Sequence, residues 1–144
     1  MSDSLLDRVN KGILGLKPYE PGKPINETQK ELGIKNIIKL ASNENPLGIS
    51  PKAFKVISEK KDLNRYPDGN ATSFKEVVSQ IEKIKTSMIT VGNGSNDLIE
   101  FVSKCFLSEG DNAIYSQHGF AIYPLAIKST GAKAIKAKAR DWGH

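Results

Sequence analysis

The chain has 144 residues, about one domain's worth, with 38% apolar and 26% charged residues, which sets it apart from disordered chains and leaves enough apolar material for a core. The formal net charge of +5 comes mainly from lysines scattered along the chain, with no block of five or six like charges. That distribution argues against a nucleic-acid partner and is compatible with a small anionic, phosphate-bearing ligand.

The N-terminus, Met1-Ser2-Asp3-Ser4, lacks the basic-then-apolar pattern of a secretory signal. No apolar stretch approaches the roughly 18 residues of a membrane span, so a cytoplasmic protein without membrane contact is expected. Cys105 is the sole cysteine, so it has neither a disulfide partner within the chain nor a CxxC partner for zinc, and no metal site is expected. Its place in an apolar helical stretch predicts a buried structural thiol.

In chain order, Ser4 to Lys11 reads as a short helix, followed by a Pro- and Gly-rich breaker from Lys17 to Pro24. Asn26 with Gln29 three residues on has the form of a capped helix start, and Gly33 can end that helix. Ile37 to Leu40 reads as a strand and Asn43 to Gly48 as a loop. Ser50 and Pro51 start a helix running to about Lys60. Arg65-Tyr66-Pro67-Asp68-Gly69 is turn chemistry. Thr72 to Lys83 reads as a helix with Phe74, Val77, Val78 and Ile81 on one face. Met88 to Val91 is a predicted strand, and Asn96 to Phe106 a helix with Leu98, Ile99, Val102 and Phe106 inward. A strand at Ala113–Ser116, a helix at Phe120–Ser129 with Pro124 in its first turn, and a strand at Ala132–Ala137 complete the α/β pattern.

The feature closest to chemistry is Gly92-Asn93-Gly94-Ser95-Asn96-Asp97, between a predicted strand and a helix. A helix N-terminus presents unpaired N–H groups and a positive dipole end, and glycine lets backbone approach a ligand closely. The turn is therefore a natural phosphate seat. It lacks the third glycine of the dinucleotide fingerprint and the Gly-Lys-Ser/Thr of the Walker loop. Taken alone, it is equally readable as a tight strand-to-helix turn capped by Ser95.

Other segments narrow the reading. Leu16-Lys17-Pro18-Tyr19, Leu40-Ala41-Ser42-Asn43-Glu44-Asn45-Pro46-Leu47-Gly48, Asn64-Arg65-Tyr66-Pro67-Asp68-Gly69, the glycine turn, and Tyr115-Ser116-Gln117-His118-Gly119-Phe120-Ala121-Ile122-Tyr123-Pro124 occur in an order that resembles the N-terminal portion of histidinol-phosphate aminotransferases. These are fold-type I enzymes dependent on pyridoxal 5′-phosphate (PLP).

The resemblance implies an α/β architecture: an arm and small-domain segment over residues 1–49, then the first part of the PLP-binding large domain over 50–144, with a mainly parallel sheet between helices in three layers. It implies that Gly94, Ser95 and Asn96 carry the cofactor phosphate and that Phe120 stacks on the pyridine. Many relatives have Tyr at that position, so stacking survives here while a hydroxyl contact is lost. Tyr66 is implied to reach the phosphate of the other subunit of a homodimer, and Tyr19 to line the partner's substrate pocket. Asn43 and Asn45 are implied to lie near the substrate carboxylate, or to hold the loop that does. His118 is assigned no role, and Trp142 and His144 resemble a family segment.

The implied reaction is transamination between histidinol phosphate and 2-oxoglutarate, giving imidazole acetol phosphate and glutamate, in histidine biosynthesis. The Schiff-base lysine, the Asp that pairs with the pyridine nitrogen and the Arg that holds the substrate carboxylate have no counterpart in these residues. No lysine stands in the family's Ser-x-x-Lys context after the right strand, and Lys104 follows Ser103 on the helix after the turn. No catalytic residue is therefore expected here, and these residues alone are expected to be inactive. Three alternatives remain open: another fold-type I enzyme directed at aromatic amino acids or threonine phosphate, a non-catalytic phosphate-binding module, and the product of a broken gene or incomplete record.

Overall fold

The computed structural model describes residues 5–141 and 143. Ser4, Trp142 and His144, named above, lie outside the described residues. The chain divides into two units, one formed by residues up to Tyr19 together with Ala71 onward, the other by Glu20–Asn70.

In the first unit, a 3₁₀ turn at Leu5–Arg8 precedes the four-residue helix α1, Lys11–Leu14. The single helix expected over Ser4–Lys11 is broken because Asn10 is non-helical and its side chain accepts the Gly12 N–H at 2.9 Å. The cap starts a new helix where the old one would have continued. α1 packs on α6, Ile122–Ser129.

Helix α4, Thr72–Glu82, forms as its periodicity predicts. Its Phe74, Val77 and Ile81 stripe nevertheless stays more than half exposed. A 3₁₀ turn follows at Thr86–Met88, and then extended backbone at Ile89 (φ −110°, ψ 120°). The expected strand at Met88–Val91 is thus replaced by a turn and an extended segment, because no neighbouring strand among the described residues pairs with it. An extended segment becomes a strand only when its N–H and C=O groups find a ladder.

Helix α5, Ser95–Phe106, leads to strand β1, Asn112–Ser116; α6 then crosses over to β2, Lys133–Ala137. α6 begins at Ile122 rather than Phe120, with Ala121 at its cap and Pro124 in its first turn. β1 and β2 pair in parallel, Asn112 opposite Lys133 and Ser116 opposite Ala137. The ladder extends at each end through Lys133 N–H to Asp111 O and Gln117 N–H to Ala137 O, both 2.9 Å. This two-stranded sheet stands where three strands were expected.

The core sits where α6 meets α5 and the sheet. Ala126, Ile127 and Ala132 are buried, as is Ser103 of α5, the helix that packs on α6. Two expectations for α5 fail. Val102 and Phe106 are 59% and 77% exposed, and Cys105 is exposed rather than buried. The amphipathic pattern is present, but no described element packs on that part of the helix. An open apolar groove of about 380 Å³ results, lined by Leu98, Ile99, Val102, Phe106, Ala113 and Ile127.

The second unit holds α2, Ile25–Leu32, and α3, Pro51–Glu59. α2 starts one residue before Asn26, with Pro24 at the cap position and its carbonyl accepting the Glu27 and Thr28 N–H groups. Proline's fixed φ prepares that start, so Asn26 falls inside the first turn. Gly33 ends α2 in the left-handed conformation (φ 66°), as its sequence position predicts. Lys23 and Glu31 form an ion pair along this helix, which holds the Lys23 ammonium above its ordinary pKa of 10.5. Ile37–Leu40, expected as a strand, has no ladder partner among the described residues. No residue of this unit is buried.

Candidate functional site: the glycine turn and the Tyr19–Phe120 pair

The turn follows Val91, and α5 leaves it at Ser95. Gly94 occupies the cap position with φ 81° and ψ −179°, a conformation that strains any residue with a Cβ. The turn is closed from within. Gly94 N–H donates to Gly92 O at 2.8 Å, and Asn93 N–H donates to Asp97 Oδ2 at 2.9 Å.

A Cβ on Gly92 would come within 3.0 Å of Asp97 Cβ and 3.2 Å of Leu98 Cδ2, so only glycine lets the turn fold this tightly onto α5. Ser95 is the first helical residue, not the cap, and no side chain caps the helix at Gly94. By helix geometry the N–H groups of Ser95, Asn96 and Asp97 have no acceptor inside the helix. Nothing lies within 4 Å of a Cβ built on Gly94, so the space beside Gly94 is open. Ser95 and Asn96 are exposed. The donor set of outward N–H groups, a hydroxyl and a positive helix end suits a phosphate.

Phe120 lies in the bend between β1 and α6 and is 42% exposed. Its carbonyl accepts the Tyr123 N–H at 3.1 Å, which ties the bend to the first turn of α6. At Gly119 beside it, a Cβ would meet Ser116 O at 3.1 Å and the Tyr123 ring at 3.2 Å, so a side chain there fits only if these neighbours give way by a few tenths of an ångström. Tyr19 packs edge-on against Phe120 in its own chain, with ring centroids 6.4 Å apart and planes at 75°. The structure therefore brings together two of the residues singled out in the sequence, and leaves part of the Phe120 ring accessible.

The remaining candidates belong to the second unit. Tyr66 is fully exposed. Asn43 has φ 49°, and Ser42 before it φ 73°, a left-handed pair that bends the chain. Both ends of the Asn45 amide are used inside its loop: Oδ1 accepts the Leu47 N–H at 3.0 Å, and Nδ2 donates to Gly48 O at 2.9 Å. Lys104 pairs with Glu100 at 3.0 Å along α5.

Asp97 is the residue that the sequence reading passed over. An acidic residue three positions after a cap glycine resembles the acidic half of a capping box, and that was the available signal. Among the described residues, no cluster of three or more His, Cys, Asp or Glu side chains is placed to hold a metal, and no helix is long and apolar enough to cross a membrane.

No family model matches the chain. Its backbone superposes on the crystal structure of histidinol-phosphate aminotransferase from Sinorhizobium meliloti in complex with pyridoxal-5′-phosphate, with a TM-score of 0.78 at 18% identity, over 97% of this chain and 37% of that one. The fold is thus that of part of a fold-type I aminotransferase, with a small parallel sheet flanked by helices.

Sequence relatives are closer. The chain is 49% identical to histidinol-phosphate aminotransferase 1 of Mannheimia succiniciproducens over 98% of its own length, and 46% identical to histidinol-phosphate aminotransferase 2 of Pseudomonas fluorescens over all of it. It is a homologue of the histidinol-phosphate aminotransferases, and it spans about two fifths of the length of these curated relatives.

Proposed function

We propose that this chain forms the cofactor-phosphate half of a PLP site in a histidinol-phosphate aminotransferase, the enzyme that exchanges amino groups between histidinol phosphate and 2-oxoglutarate. The observation that carries the reading is the glycine turn: uncapped N–H groups at the start of α5, with open space beside Gly94, in a chain whose relatives at 46–49% identity bear that name.

Ser95 and Asn96 hold the phosphate through their N–H groups and the Ser95 hydroxyl, and Gly94 gives it room. Phe120 stacks on the pyridine, its plane steadied by the edge of Tyr19. Bound there, PLP supplies an electron sink for the bonds at the substrate's α-carbon. Tyr66 serves the site across a homodimer, Tyr19, implied to cross to the partner, lies against Phe120 of its own chain, and Asn43 and Asn45 shape the loop near the substrate carboxylate. Residues 1–49 act as arm and small-domain segment, and 50–144 as the first part of the large domain. The enzyme works in the cytoplasm.

Pyridoxamine phosphate tests this without condensing on surface lysines. Calorimetry is expected to show binding of pyridoxamine phosphate and much weaker binding of pyridoxamine, with no displacement by ATP or NAD. No turnover of histidinol phosphate is expected from these residues alone. Equal binding of ATP would sink the reading, and turnover would sink the claim of inactivity.

A further inference from the structure

We infer that Asp97 is a positioning residue for the phosphate seat, acting through the turn rather than on the ligand. The inference rests on the reading of the turn as that seat. The turn has two N–H groups that point inward, on Asn93 and Gly94, and each has an acceptor: Asp97 Oδ2 at 2.9 Å and Gly92 O at 2.8 Å. Asp97 is half-buried while its neighbours Ser95 and Asn96 are exposed. Its Cβ lies where a side chain on Gly92 would intrude. The carboxylate thus reaches back over the helix start and pins Asn93, so that the following N–H groups open on the ligand side.

This arrangement sets two effects against each other. A carboxylate in the first turn is favoured by the helix dipole, and its bond to Asn93 orders the seat. The same charge stands close to the place where a phosphate dianion binds, and repels it. Asp97→Asn separates the two, because the amide oxygen still accepts from Asn93 while the charge is gone. Asp97→Ala removes both the charge and the acceptor.

The experiment measures pyridoxamine phosphate affinity by calorimetry for the full chain and both variants. In parallel, exchange of the Asn93 amide is followed by NMR without ligand. In D97N, affinity equal to or above wild type is expected, with the Asn93 amide still protected. In D97A, affinity is expected to fall about five- to tenfold, the net scale of losing one hydrogen bond, and the amide to exchange freely. Weaker binding by D97N than by wild type overturns the inference, and this arm is decisive even if D97A folds poorly. Unchanged affinity in D97A with a freely exchanging Asn93 amide also overturns it, while leaving the seat itself intact. If wild type shows a protected Asn93 amide but binds pyridoxamine phosphate no better than pyridoxamine, the seat reading fails first and the inference with it.

Discussion

Gly12 shows how much one missing side chain can decide. A Cβ at this position would sit 2.0 Å from Lys128 O and under 3 Å from the Gly131 backbone. These are backbone atoms at the end of α6, so they cannot rotate away as a flexible side chain would. Gly12→Ala must therefore lift α1 off α6 or unwind the end of that helix. A destabilisation of about 2 kcal/mol or more is expected, within the range for overpacking against a fixed neighbour, and thermal unfolding of the variant measures it. Gly15, three residues on, has nothing within 4 Å of its Cβ position, so Gly15→Ala is the matched control and should leave the transition nearly where it was.

The link between α5 and β1 is held by one carboxylate. Asp111 Oδ2 accepts from both the N–H and the hydroxyl of Ser108 at 2.8 Å, while its own carbonyl accepts the Lys133 N–H of β2 at 2.9 Å. The Ser108 hydroxyl, and then its N–H, hold the Asp111 carboxyl below its ordinary value of 3.8. Because the folded value lies below the unfolded one, the stabilisation is complete above pH 3.8 and disappears as pH falls through the lower folded value. An NMR titration is expected to show Asp111 titrating below that ordinary value, with the Ser108 amide losing protection as it does. In Asp111→Asn the acid-dependent step should vanish.

At this scale the sequence was informative wherever a signal was local. The helices at Pro51–Glu59 and Thr72–Glu82 and the left-handed stop at Gly33 followed from periodicity, proline and glycine alone. The cap at Asn10 and the start of α2 at Pro24 did not, because competing cap residues stand close together in both places. The segments at Ile37–Leu40 and Met88–Val91 fail to form strands for a different reason. A strand is defined by its neighbour, and apolar β-branched runs do not disclose whether one is at hand. In the candidate site, the glycines and Ser95 were legible, but the inward turn of Asp97 depends on a fold-back geometry that residue types only hint at.

Across the whole molecule, the described apolar residues that are buried number very few: Ala126, Ile127 and Ala132, all around α6. Ile114 of β1 is 71% exposed on the face of a parallel pair, an arrangement that ordinarily has both faces covered. Phe106 at the rim of the α5 groove is 77% exposed. Since an exposed ring adds little to folding, Phe106→Gln is expected to change unfolding by less than about 0.5 kcal/mol. The same change removes apolar surface of the kind that drives association. Sedimentation of the variant should therefore show less self-association than the parent chain, and a large loss of stability would mean that the groove is closed in solution.

The parallel pairing of β1 and β2 spans only the short crossover through α6. Closing so small a loop costs little chain entropy, and contacts near in sequence form early. The β1–α6–β2 segment is thus a unit of neighbouring elements, and α5 packs on its helix. The glycine turn lies where α5 begins, so its shape depends on a helix that rests on this unit through α6.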